Sequence, residues 1–425
     1  MKKKIGVLAA AALAVTVAVI PSAKAADTVT IYGGFGDAQA DAFQHELDVF
    51  GAANGITIKY TKLTSYDTDI RVKVKAGQSP DIGIWPQPGG LLDYASVLEP
   101  LSGIVDLPSI QKTLIPGWDK LAVKGGKVYG LPVSANIKSL VWYNPANFKA
   151  AGLSVPKTDA ELSKLEATIK AKKLGYVWCA GIESGGATGW AATDWLEEYV
   201  LRYGGVEQYN KWWKGQIKFN SPLVTKAGNT VAAHLLSAGA ANGGGKGLAA
   251  TSFGNTAALF STDKNKCFMM RQGSFITGFF PDNIKAEYAA NNFTHVGVFK
   301  LPTPAGATDG VLGGGDLAAA FNDNAATKKV MGFILSDKLG QNGTLGIYNS
   351  YLSAHKTFPS SLYTNPMTKQ IATFLAGANA FGFDGSDLEP GIVNATEWAE
   401  LTNWYAGKKT MKQAFDAIDA SWAKA

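Results

Sequence analysis

The sequence predicts an α/β protein of two lobes, and three observations carry that expectation. The N-terminal third alternates strand, helix, strand, helix, strand, which implies parallel pairing with right-handed crossovers. Removing the first 25 of 425 residues as an export segment leaves 400, more than one ordinary core organises. No repeat and no low-complexity linker divides the chain, so the lobes should be joined by crossing strands rather than strung like beads.

The export segment comes first. Lys2, Lys3 and Lys4 precede an apolar run over 5–20, Pro21 breaks it, and Ala23-Lys24-Ala25 has the small-x-small pattern of a cleavage site. The run is shorter than the roughly 20 residues a membrane span needs, which disfavours the alternative of an anchor. Cleavage after Ala25 is expected. With no Cys at that site, lipid anchoring through a cysteine is not indicated.

Strands are expected over 29–32, 56–60 and 81–85. A helix over 38–53, with Phe43, Leu47 and Phe50 at helical spacing, stops at Asn54-Gly55, and a short helix over 67–76 ends at Gly77. In a parallel sheet ligands meet the carboxyl ends of strands, here 33–37 and 85–90. Further strands are expected over 128–132, 140–143, 176–180, 267–270, 294–299 and 317–321. Helices are expected over 158–173, opened by the capping box Thr158 to Glu161, and over 193–203. The stretches 239–247 and 310–315 read as a loop and a Gly-rich turn. Beyond Ala325 the chain reads as helical, with a break around 348–352.

The chain has 40 Lys and Arg against 34 Asp and Glu. Without Lys2, Lys3, Lys4 and Lys24 the basic count is 36, so the mature chain is near neutral. It has no basic stripe to bind nucleic acid. His45, His234, His295 and His355 lie far apart, and no metal is expected. Asn242-Gly243-Gly244-Gly245-Lys246-Gly247 lacks the spacing of a phosphate loop and reads as a flexible loop. No Gly-x-Ser-x-Gly elbow occurs. Glu197-Glu198 reads as a solvated helix face; a glycosidase pair of carboxylates need not be adjacent in sequence, so that reading stays open. Cys179 and Cys267 are expected to form a disulfide in an exported chain, with two buried free thiols as the alternative.

An ordered set of motifs goes further. Gly77-x-x-Pro80-Asp81-Ile82 leads to Trp85. Gly126-x-x-Tyr129-Gly130-Leu131-Pro132 precedes Leu140-Val141-Trp142-Tyr143-Asn144. Arg271-Gln272-Gly273 leads to Phe275, Leu301-Pro302 follows, and Gly313-Gly314-Gly315-Asp316-Leu317-Ala318 comes after it. The set resembles the extracellular solute-binding proteins of the maltose-binding-protein kind over the whole mature chain. The runs Cys179 to Trp195, Thr251-Ser252-Phe253-Gly254, Gly314 to Asp323 and Phe383-Asp384-Gly385-Ser386-Asp387-Leu388 are similar to the α-glucoside-binding members.

The resemblance implies a periplasmic-binding-protein-like fold of two lobes, each a mixed sheet flanked by helices, with a ligand cleft between them. The first lobe is placed at 26–134 plus 316–352 and the second at 135–315 plus 353–425. It implies the substrate-binding component of an ABC sugar importer. Such a protein is no enzyme, needs no cofactor, works as a monomer in the periplasm or outside the cell, and hands an α-glucoside or other di- or oligosaccharide to permease subunits. A secreted glycoside hydrolase and a binder of a non-sugar solute such as a polyamine are the alternatives. Sugars offer apolar C–H faces to rings and hydroxyls to carboxylates and amides. By position in the matching motifs the expected rings are Trp85, Trp190, Phe275 and Trp398, and the expected polar groups are Gln87, Asn136, Glu183, Asp316 and Asp387. The plainer alternative for each is a core ring or a surface polar group. Asp37 stands where relatives often carry a charged pair.

Overall fold

β1 (Asp27–Gly33) and β2 (Ile56–Lys62) pair in parallel along their whole length, and β3 (Ile82–Trp85) joins the other side of β1, also in parallel. The crossover between β1 and β2 is the helix Asp37–Asn54, which buries Phe43 and Leu47 and ends at Gly55 in the left-handed region. Phe50 stacks on Phe333 at 4.3 Å, seating this helix on the helix Ala325–Ile334. The computed structural model describes residues 27–260, 267–342, 345, 351–378 and 380–425. The expected export segment lies outside the described residues, as does most of the break expected around 348–352.

The remaining strands are β4 (Ala122–Lys124), β5 (Lys127–Pro132), β6 (Asn136–Ile137), β7 (Leu140–Tyr143), β8 (Tyr176–Trp178), β9 (Cys267–Arg271), β10 (Gly297–Lys300), β11 (Gly310–Gly314), β12 (Leu317–Ala320) and β13 (Ala380–Phe383). Among the described residues they form three sheets, in the orders β2-β1-β3-β12-β5-β4, β10-β7-β9-β8 and β13-β11-β6. All three are mixed: β12 runs antiparallel to β3 and β5, β9 pairs antiparallel with β7 but parallel with β8, and β11 pairs parallel with β13 but antiparallel with β6. The four residues of β3 and of β12 are buried throughout, as strands covered on both faces should be.

Several sequence expectations need correction. The helix expected over 193–203 runs from Trp190 to Trp212, bent at Gly205, and it is buried on all sides as far as Arg202. Glu197 and Glu198 are therefore not a solvated face, since both are fully buried. Glu198 accepts from Arg271 at 2.6 Å, from Arg202 at 2.7 Å and from the Ser139 hydroxyl. The expected loop 239–247 runs into a helical turn, Gly244–Ala250, where a Cβ on Gly245 would collide with the Tyr405 carbonyl. The Gly-rich turn at 310–315 is mostly strand β11, and a strand, β13, pairs with it from a stretch expected to be helical. The capping box at Thr158 is present, opening the helix Asp159–Ala171.

Cys179, just past β8, is bonded to Cys267 at the start of β9, with Cα atoms 5.0 Å apart. Alkylation of the exported protein without reductant should leave its mass unchanged, while reduction first should add two labels and lower the melting temperature. A loop closed over 88 residues is worth roughly 4–5 kcal/mol in the chain-entropy account. Two labels without reductant would contradict the bond.

Candidate functional site

The chain segments that leave the carboxyl ends of β1, β2 and β3 open onto one cavity. Gly34 to Gly36, Leu63 to Thr68, and Pro86-Gln87 form its first wall. Its floor is where the chain crosses: Ser134 to Asn136 beside Gly315-Asp316. The second wall is mainly aromatic. Trp190 lies 4.9 Å from Phe253 and 5.8 Å from Phe275, and Phe253 lies 5.0 Å from Phe279. Phe279 is 37% exposed, an apolar ring left open at the cavity. The mouth is narrow. A Cβ on Gly186 would stand 3.1 Å from the Thr68 hydroxyl opposite, and one on Gly36 would stand 3.3 Å from Phe279.

Polar groups interrupt the apolar lining. Gln87 Oε1 and Asn136 Oδ1 are buried with no hydrogen-bond partner among the described residues. A stranded buried acceptor costs about 1–3 kcal/mol, so each is suited to a ligand donor. Asp316 accepts from the Ser134 hydroxyl at 2.8 Å. Burial pushes its carboxyl up to about 6 even though Ser134 and Lys138 pull it down. Lys138 Nζ lies 5.2 Å above the Trp190 ring and donates to Asp194 at 2.8 Å and to Asp384. Burial alone would lower this ammonium's pKa, but the carboxylates around it outweigh that and hold it well above its usual value.

Of the nine expected ligand-binding residues, Gln87, Asn136, Trp190, Phe275, Asp316 and Asp387 line this one cavity. Three do not. Trp85 is 1% exposed. Its ring folds back over Gly83 of its own strand and packs among Tyr66, Tyr94 and Phe321 at 5.6–5.8 Å, so it is a core ring. Trp398, in the helix Gly391–Tyr405, is 5% exposed, and its backbone packs on Gly189 behind the start of the Trp190 helix. Glu183 turns its carboxylate onto the Gly185 N–H at 2.8 Å. It shapes the turn at the mouth without facing the cavity. The glycines before Asp316 let crossing strands meet: a Cβ on Gly313 would lie 2.7 Å from the Asn136 carbonyl, and one on Gly315 would strike Ser134. Asp37 has its side chain outside the described residues. Lys138, Phe253 and Phe279 escaped the sequence reading. The one signal for Lys138 was a lone lysine in the apolar pair of strands over 136–143. No group of His, Cys, Asp or Glu among the described residues is placed to hold a metal ion.

Residues 36–341 match a family described as bacterial extracellular solute-binding protein. The chain is 33% identical over 402 residues to the osmoprotective compounds-binding protein GgtB of Synechocystis sp., covering 93% of this chain and 92% of that one. It is 32% identical over 406 residues to the alpha-glucosides-binding periplasmic protein AglE of Rhizobium meliloti, covering 92% and 87%. Among solved structures, a chitin oligosaccharide binding protein superposes with a TM-score of 0.76 at 21% identity over 95% of this chain and 99% of that one. Maltose-bound MalE3 of T. maritima gives 0.68 at 18%, over 94% and 100%.

Beneath the second wall, Glu389 and Glu397 share a fully buried site, facing each other carboxyl to carboxyl with no other donor among the described residues. Burial, then Asp384, pushes Glu397 up to about 8. A carboxyl raised on folding adds stability that is complete below its unfolded value near 4.5 and is lost as pH climbs through 8. Asp384, held at about 2 against the pull of burial by Lys138, contributes a constant amount over that range. Stability, followed as melting temperature, should therefore fall between about pH 5 and pH 8.5, by on the order of a few kcal/mol from this group, and Glu397→Gln should make the profile shallower. An equally steep profile in the variant would overturn this assignment.

Proposed function

Because the chain belongs to the family of bacterial extracellular solute-binding proteins, we propose that its cleft captures an α-glucoside, or a related di- or oligosaccharide, and delivers it to the permease subunits of an ABC importer. It is a binding protein and not an enzyme. The observation that carries the sugar reading is the pairing, in the lining of one cavity, of an aromatic wall with two amide side chains whose buried oxygens have no protein partner. Trp190 and Phe275 would stack on C–H faces, with Gln87 and Asn136 accepting from hydroxyls and Asp316 and Asp387 completing the polar lining. A polyamine would need several free carboxylates and few amides, and the AglE relative is named for binding α-glucosides.

Under this reading the segment over 1–25 is a cleaved signal peptide. The mature protein is a monomer in the periplasm or outside the cell. Its lobes are 26–134 with 316–352, and 135–315 with 353–425, so that the cavity floor is the hinge.

Maltose, trehalose and sucrose should be tried first by thermal shift, with glycine betaine as a zwitterionic compatible solute for comparison. A ligand at about 100 times its Kd adds about 2.7 kcal/mol to stability. For the sugar that shifts most, Trp190→Ala should weaken binding by roughly 1–3 kcal/mol, about 10- to 100-fold, with little change in melting temperature. Trp85→Ala should do the reverse, losing roughly 3–5 kcal/mol of stability as a core ring. A shift with betaine alone, or release of glucose from maltose, would contradict the proposal.

A further inference from the structure

Six carboxyl groups lie buried near a single ammonium, that of Lys138: Asp387 in the cavity wall, and Asp194, Glu197, Asp384, Glu389 and Glu397 behind it. Charges of one sign cannot all form at such density away from water. The donors decide which do. Lys138 serves Asp194 and Asp384. Glu197 accepts from the Tyr209 hydroxyl at 2.7 Å and from the backbone N–H groups of Gly385 and Ser386. Asp387 has none of this. Its N–H donates to Asp384 at 3.1 Å, but its carboxyl, 7% exposed and open to the cavity, meets no donor among the described residues. Glu389 stands two residues on and Glu397 behind it. The turn Pro88–Leu92, packed directly on Gly385–Leu388, ends at Asp93, another acid. Burial first, and Asp384 next, push Asp387 up.

Resting on the sugar-binding reading above, we infer that Asp387 faces the ligand as a neutral carboxylic acid, donating its O–H to a hydroxyl or ether oxygen of the sugar. Gln87 and Asn136 line the same cavity and their amide oxygens lack a protein donor, so a ligand that satisfies all three supplies donors to the amides and an acceptor to Asp387. A neutral glycoside does both. Its affinity falls as pH rises and the acid ionises, whereas the affinity of a polyamine would rise.

Infrared difference spectra of wild type minus Asp387→Asn, recorded without ligand at neutral pH, test this directly. A protonated-carboxyl C=O band present in wild type and lost in the variant is expected; loss of a carboxylate band instead overturns the inference. Calorimetry with whichever of maltose, trehalose and sucrose shifts the wild type gives the second reading. Asp387→Asn, whose amide still donates, should keep affinity within about 3-fold while Asp387→Ala loses about 10-fold or more. Equal losses in both variants overturn it. The infrared measurement needs no sugar, so it decides the protonation state even where the sugar reading fails.

Discussion

Ser134 ties the crossing segments of the chain together at the floor of the cleft. Its hydroxyl donates to Asp316 Oδ2 at 2.8 Å and accepts from the Asp316 N–H at 3.4 Å. On either side of it, the Val133 N–H donates to the Asp316 carbonyl and the Ala135 N–H to the Leu352 carbonyl, both at 2.8 Å. Three stretches distant in sequence are thus laced within three residues. Gly315 makes the crossing possible, since any side chain there would strike Ser134 and come within 3.0 Å of Trp118. The aromatic wall, the strand ends opposite and Asp316 itself take their positions from this knot.

The second wall depends on the helix Trp190–Trp212 in the same way. Its first residue offers the ring at the mouth, while Asp194, Glu197 and Glu198 follow on buried turns. Each of these acids organises a neighbour. Asp194 holds Lys138 against the face of the Trp190 ring, Glu197 holds the backbone that carries Asp387, and Glu198 gathers Ser139, Arg202 and Arg271. Burying such charges is tolerable only because their partners are in place, and removing one partner typically costs about 3–5 kcal/mol. A rigid ring over a pinned ammonium also binds with less ordering than a free one would.

Local signals in the sequence were enough for the strand–helix alternation of the first lobe, the stop at Gly55 and the capping box at Thr158. They also placed the cavity at the ends of β1 and β3, because that position follows from parallel pairing. Side-chain direction was not legible. β3 is buried on both faces, so alternation could not say which way Trp85 points, and its ring turned out to cover Gly83. Nor does helical spacing distinguish a solvated Glu197-Glu198 face from a helix surrounded by protein. Trp398, in the helix Gly391–Tyr405, lies buried behind the wall. Lys138 joins three segments far apart in the chain, Asp194 and Asp384 being 56 and 246 residues from it. No local pattern announces such a contact.

If the floor is a hinge and the walls belong to one site, the two lobes must approach when a sugar is held by both. Small-angle scattering on the mature protein, without ligand and with a saturating sugar whose binding has been established by calorimetry, measures this most directly. The account predicts a smaller radius of gyration with sugar, as in hinge closure about a bound ligand. Binding with an unchanged radius would contradict it.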